Sequence, residues 1–124
     1  MSRKTTNIIA WLLTGIAGLL VFTSGIFKLS GSVEVVDGMT KLGVGPYIAY
    51  LGMAEIIFAA LFLLPQTSKI GFLLVASYFA GALATDLSHG NTIVTPLVIL
   101  VLVWVATFLR TPEIFIGQKQ LAKN

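Results

Sequence analysis

Residues 46–65 read PYIAYLGMAEIIFAALFLLP. Between the two prolines every residue is apolar, aromatic or glycine except Glu55. An apolar helix of roughly 20 residues spans a hydrocarbon layer about 30 Å thick, so this stretch predicts a membrane crossing. Proline is tolerated in a helix's first turn and breaks it further in, so Pro46 and Pro65 bracket the segment. A carboxyl group in such a helix costs several kcal/mol unless something meets it. Glu55 follows Pro46 by nine residues, which at helical rise is about 14 Å deeper, near mid-membrane. This residue therefore needs a partner or a chemical task.

The whole chain matches the stretch. Its 124 residues are 56% hydrophobic and only 10% charged, too apolar and too poor in charge for an ordinary soluble domain. The length allows about four crossings with short connections, so the lipid bilayer is the expected environment. The net charge of +3 comes from cations at segment ends rather than on one face, which suits membrane anchoring and excludes a nucleic-acid partner. There is no cysteine, so disulfides, thiol relays, thiolate-bound iron and Cys-ligated zinc are excluded within this chain. With His89 as the single histidine, a haem or zinc cage built from this chain is not expected, and no metal is assigned. Any redox chemistry must be borrowed.

Taken outward from residues 46–64, the chain resolves into crossings over about 7–27, 70–87 and 93–109, with a tail over 110–124. The first apolar run is too long for a cleaved signal peptide, and Thr23-Ser24-Gly25 is a poor cleavage site, so the segment is expected to be retained. Gly15, Gly18 and Gly25 offer flat contact points for neighbouring helices. Between crossings one and two, Val33, Val36, Met39 and Leu42 recur near helical spacing, with Glu34, Asp37 and Lys41 between them. That predicts a short amphipathic segment over about 32–42 lying at the membrane surface. Tyr47 and Tyr50 suit an interfacial aromatic belt. Pro96 either opens the fourth crossing, with Thr95 as N-cap, or kinks it. The fold class is thus all-α: one membrane domain, a transmembrane four-helix antiparallel bundle. Arg3, Lys4, Lys69, Arg110, Lys119 and Lys123 fall on one side of it and only Lys28 and Lys41 on the other, which puts both termini in the cytoplasm.

In this topology Lys28 closes the outer end of the first helix, with Ser24 one turn below. Tyr78, Ala82, Thr85, Asp86 and His89 share a face of the third helix, and Tyr47, Leu51, Glu55, Phe58 and Phe62 share a face of the second. If these faces turn inward, they enclose an outward-opening pocket, polar above and aromatic below. Such a pocket suits a small ring with hydrogen-bonding oxygens, such as a quinone. Glu55 and His89 are then the candidate catalytic groups, and Lys28, Ser24, Tyr78 and Asp86 the candidate ligand-binding groups. Structural roles compete for each. Glu55 can bond to Ser24, Tyr78 or a backbone carbonyl and hold helices together. Lys28 can pair with Asp86 or snorkel to the interface. His89, beside a Gly-Asn turn, can be a solvated residue of the helix cap.

Residues 25–31 (GIFKLSG), 52–55 (GMAE) through 63–65 (LLP), 81–91 (GALATDLSHGN) and 108–112 (FLRTP) together resemble the DoxX-like membrane family over nearly the whole chain. The resemblance implies a four-helix integral membrane protein. Its relatives include small subunits of thiosulfate:quinone oxidoreductases, partners in membrane oxidoreductase complexes, and animal chaperones of receptor assembly. It also implies Lys28, Glu55, Asp86 and His89 as a site, and the inner (plasma) membrane of a bacterium as the location. On this reading the chain is a subunit or ligand-binding component of a membrane oxidoreductase system. Glu55 exchanges a proton while Lys28 and His89 steady a developing oxyanion. Lacking an evident electron carrier, it depends on a protein partner that supplies the redox chemistry. The alternatives are a non-enzymatic membrane chaperone, assembly or interaction protein and, behind it, a proton-coupled exporter, which at this length would have to act as a homodimer.

Overall fold

The computed structural model describes residues 2–116. Among these the chain is all-α, with five helices and no strand: α1 (Arg3–Ser30), α2 (Val33–Lys41), α3 (Ile48–Leu63), α4 (Ser68–Ser88) and α5 (Val94–Arg110). Short 3-10 turns occupy Gly45–Tyr47 and Pro112–Ile114. Lys119 and Lys123 of the expected tail lie outside the described residues.

Local chemistry explains where the helices begin and end. The first is longer than its apolar core because Ser2 caps it, its Oγ accepting from the Thr5 amide at 3.2 Å, and because Gly31 closes it in a left-handed conformation (φ 73°) that glycine adopts without steric penalty. Lys28 therefore stands in the last turn, where a cation also complements the helix dipole. The residues around Pro46 form a 3-10 turn, so α3 starts at Ile48 and Tyr47 lies outside it, 58% exposed. Tyr47 thus leaves the face predicted for it with Glu55 and Phe62, both of which are buried. At the far end Leu64 is extended (φ −84°, ψ 130°), the conformation imposed on a residue preceding proline. Thr95 is not the cap of α5. That helix begins at Val94 after Ile93, and Pro96 falls within the first turn, where its missing N–H leaves no ladder bond unmade.

The helices touch in a closed circuit: α1 packs on α3 and α5, and α4 packs on the same two. Glycine sets two of the closest approaches. A Cβ at Gly25 would come within 2.8 Å of the Gly52 carbonyl oxygen, and one at Gly52 within 2.9 Å of that of Gly25. Further along the same crossing Gly18 accommodates the Leu63 side chain, and on α4 Gly71 lies against the backbone of Phe62. Gly15, by contrast, faces open space. Ala17, Val21, Ala59, Phe62, Val75 and Val103 fill the interior of the circuit.

Leu12, Leu19, Leu73 and Val101 stay exposed on the outside. Helices apolar on both faces belong in lipid rather than water. Three segments, Arg3–Ser30, Gly45–Leu63 and Ser68–Ser88, are long and apolar enough to cross a bilayer, and Val94–Arg110 is a shorter apolar helix. The molecule is an integral membrane protein.

Arg110 does more than end a helix. Its Nη1 donates to Thr14 Oγ1 at 2.8 Å, and that hydroxyl donates in turn to the Ala10 carbonyl at 2.7 Å. The guanidinium lies 4.7 Å from the centre of the Trp11 ring and 5.1 Å from that of Phe62, within range of cation–π attraction. One side chain thereby ties α5 to α1 and α3.

Candidate functional site

The Gly25–Gly52 crossing brings α1 and α3 together where the polar residues are. Ser24 and Lys28 are one turn apart on α1 and present both polar groups to Glu55 on α3. Lys28 Nζ lies 3.0 Å from Oε2 and 3.2 Å from Oε1 of Glu55. It also donates to Ser24 Oγ at 3.0 Å, and Ser24 Oγ donates to Glu55 Oε1 at 3.1 Å. The result is a closed triangle of serine, ammonium and carboxyl group. Its members differ in accessibility: the Glu55 side chain is 1% exposed and that of Lys28 12%. Oε2 is fully buried and, beyond its contact with the ammonium, makes no aligned hydrogen bond among the described residues. A buried carboxylate has room for about four hydrogen bonds, so Glu55 retains accepting capacity on that oxygen.

This triangle forms one wall of a cavity of about 480 Å³. Tyr78, Thr85 and Asp86 of α4 line it opposite, Thr95 and Pro96 of α5 complete the circumference, and Met39, Leu42 and Val44 cover it from α2 and the loop that follows. Tyr78 makes edge-to-face contacts with Phe58 (centroids 6.3 Å apart) and with its neighbour Phe79 (5.0 Å). The cavity therefore combines a cation, two carboxyl groups, hydroxyls and an aromatic wall, a mixture that can orient a small ring and move a proton to or from it.

Five of the six residues singled out in the sequence, Ser24, Lys28, Glu55, Tyr78 and Asp86, line this one cavity. His89 does not. Helix α4 ends at Ser88, and His89 falls at its C-cap (φ −101°, ψ 7°), exposed and outside the cavity lining. Its Nδ1 lies 2.9 Å from the Thr85 carbonyl and 3.1 Å from Ser88 Oγ, as a residue closing its own helix end would be. The Lys28–Asp86 pair is not formed either, because Lys28 turns inward to Glu55. The contributions of Met39, Leu42, Thr95 and Pro96 were not assigned from sequence. For the first two a signal existed in the apolar periodicity of residues 33–42.

Ser24 is the member of the triangle whose loss removes hydrogen bonds, one donated to Glu55 and one accepted from Lys28, without removing a charge. Ser24→Ala is expected to destabilise the protein by about 1–2 kcal/mol, the range for a hydrogen bond to a charged group inside a membrane protein. Thermal unfolding of the purified protein in detergent, compared with wild type, measures it.

No curated protein and no solved structure matches the chain. The model of the DoxX-like family matches residues 12–107, a span that contains every residue lining the cavity. With the helices, the apolar exterior and this match in hand, the chain belongs to the DoxX-like family.

Proposed function

We propose that this protein is the ligand-binding component of a membrane oxidoreductase system and that its cavity receives a quinone-like molecule. In this reading α1, α3, α4 and α5 form an antiparallel four-helix bundle across a bacterial plasma membrane. Both termini are cytoplasmic, by the excess of cations on that side, and α2 lies amphipathically over the outer end. The observation that carries the proposal is the Lys28–Glu55–Ser24 triangle standing on the wall of a cavity of about 480 Å³, within the range of about 300–1,000 Å³ typical of small-molecule sites. Ionisable residues kept inside a membrane protein are costly and commonly mark ligand, ion or proton paths, which supports the reading. Lys28 would hold a ring carbonyl and offset the negative charge that reduction brings there, and Glu55 would relay the two protons to the ring in turn. Electrons come from a reduced protein partner, two of them with two protons per quinone converted to quinol.

The test is thermal unfolding of the protein in lipid nanodiscs with and without a benzoquinone. A quinone-dependent rise in the midpoint is expected for wild type, and its loss in Lys28→Met. Absence of any rise in wild type, with no quinone retained from native membranes, overturns the proposal. A second reading is favoured by one observation: the triangle joins α1 to α3 with no ligand involved. As helix glue it would serve a non-enzymatic chaperone or assembly protein. In that case Lys28→Met destabilises the protein equally with and without quinone.

A further inference from the structure

A second space lies on the outer surface of the molecule, in the groove between α1 and α2. Its floor is apolar: Ile16, Leu19, Leu20 and Phe27 of α1 all line it and all are exposed, Ile16 at 52% and Leu19 at 61%. Its other end is polar, with Thr23, Ser24, Lys28 and Glu34. Ser24, Lys28 and Met39 line both this groove and the interior cavity. The wall between the bilayer-facing surface and the buried triangle is thus built largely from two long, unbranched side chains and a serine. Methionine and lysine are among the most flexible side chains, and both can swing without moving the backbone.

We infer that the site loads sideways from the bilayer through the α1–α2 groove, and that its ligand is a lipid-like molecule whose head occupies the cavity while its long apolar tail stays in the groove. This rests on the ligand-binding reading above. The occupant follows from the continuity of the two spaces and from the gradient along the groove. From Phe27 down to Ile16 the groove runs about 16 Å along α1, with its polar end at the cavity and its apolar end among acyl chains. A free water-soluble ring would leave that apolar floor unused. A tail alone would leave Lys28 and Glu55 unmet.

Gly38 supplies the test, because it lines the groove and a Cβ added there meets nothing within 4 Å. Gly38→Trp places an indole in the groove from a position where the Cβ itself has room. Gly15→Trp is the control, since Gly15 also faces open space and lines neither the groove nor the cavity. Binding is measured in nanodiscs with two probes: a dimethoxy-methyl-benzoquinone without a tail, and the same ring carrying a decaprenyl chain. Gly38→Trp is expected to weaken the tailed probe at least about tenfold while changing the tail-less one less than about twofold, with Gly15→Trp altering neither. If Gly38→Trp binds the tailed probe as wild type does, or loses both probes alike, the lateral route is wrong while the ligand-binding reading stands. If wild type binds neither ring, that reading falls and the route with it. Because a tryptophan on a nine-residue helix can disturb folding, wild type is also labelled with a tailed probe carrying a diazirine on the isoprene units nearest the ring. Crosslinks on residues 16–20 and 35–39 are expected, and crosslinks confined to α4 and α5 overturn the route.

Discussion

Glu55→Ala is expected to lower the stability of the protein by about 3–5 kcal/mol, the cost of leaving one member of a buried ion pair without its partner. The substitution removes both oxygens that face Lys28 Nζ. It also takes away the acceptor for Ser24 Oγ. Lys28 can relieve part of the cost by swinging toward the α1–α2 groove, so the loss belongs at the lower end of the range if that side chain is free to move. Replacing both partners separates the two contributions. Glu55→Leu combined with Lys28→Met removes the charges together and is expected to recover most of the lost stability, because burying a charge pair is itself expensive. Thermal midpoints of Glu55→Leu, Lys28→Met and the double variant in detergent complete the cycle. A double variant no more stable than Glu55→Ala would mean that the triangle's worth lies in shape rather than charge.

Gly71→Val is expected to be as damaging, at about 3 kcal/mol or more, the upper end for overpacking a filled interior. The reason is the identity of what the new atom meets. At Gly18 an added Cβ would press on the Leu63 side chain, which can turn away, whereas at Gly71 it meets the backbone of Phe62. Relief there requires α3 and α4 to separate. Phe62 and Phe72 are both buried at this contact, and Arg110 rests on the Phe62 ring, so the disturbance spreads into α5. Gly15→Val provides the comparison: open space surrounds that position, and a change within about 0.5 kcal/mol is expected. Thermal unfolding under identical detergent conditions checks both.

The residues that line the cavity were legible for different reasons. Glu55 announced itself by the energetics of a carboxyl group in an apolar helix. Ser24 and Lys28 followed from their one-turn spacing on α1, and Tyr78 and Asp86 from shared helical phase on α4. Helical phase groups His89 with them, but at the C-cap its ring turns back on Thr85 and Ser88 at the exposed end of α4. Tyr47 failed in the same way at the other end of α3, where Pro46 imposes a 3-10 turn. Partner choice was beyond periodicity altogether. Depth along the helices pairs Lys28 with Asp86 or with the interface, and only the glycine-to-glycine contact of α1 with α3 brings Glu55 to within 3.0 Å of it.

The sequence by itself determined the environment and the elements: an apolar, cysteine-free chain whose hydrophobic runs and prolines specify membrane helices, with one acid deep among them. Those follow from hydropathy and backbone sterics, which act over a few residues at a time. The tertiary structure alone decided that Glu55 meets Lys28 rather than a backbone carbonyl, that a ligand-sized space adjoins the pair, and that Arg110 reaches back to Thr14. Each depends on how closely two helices approach and at what register, a distance set by contacts between residues far apart in the chain.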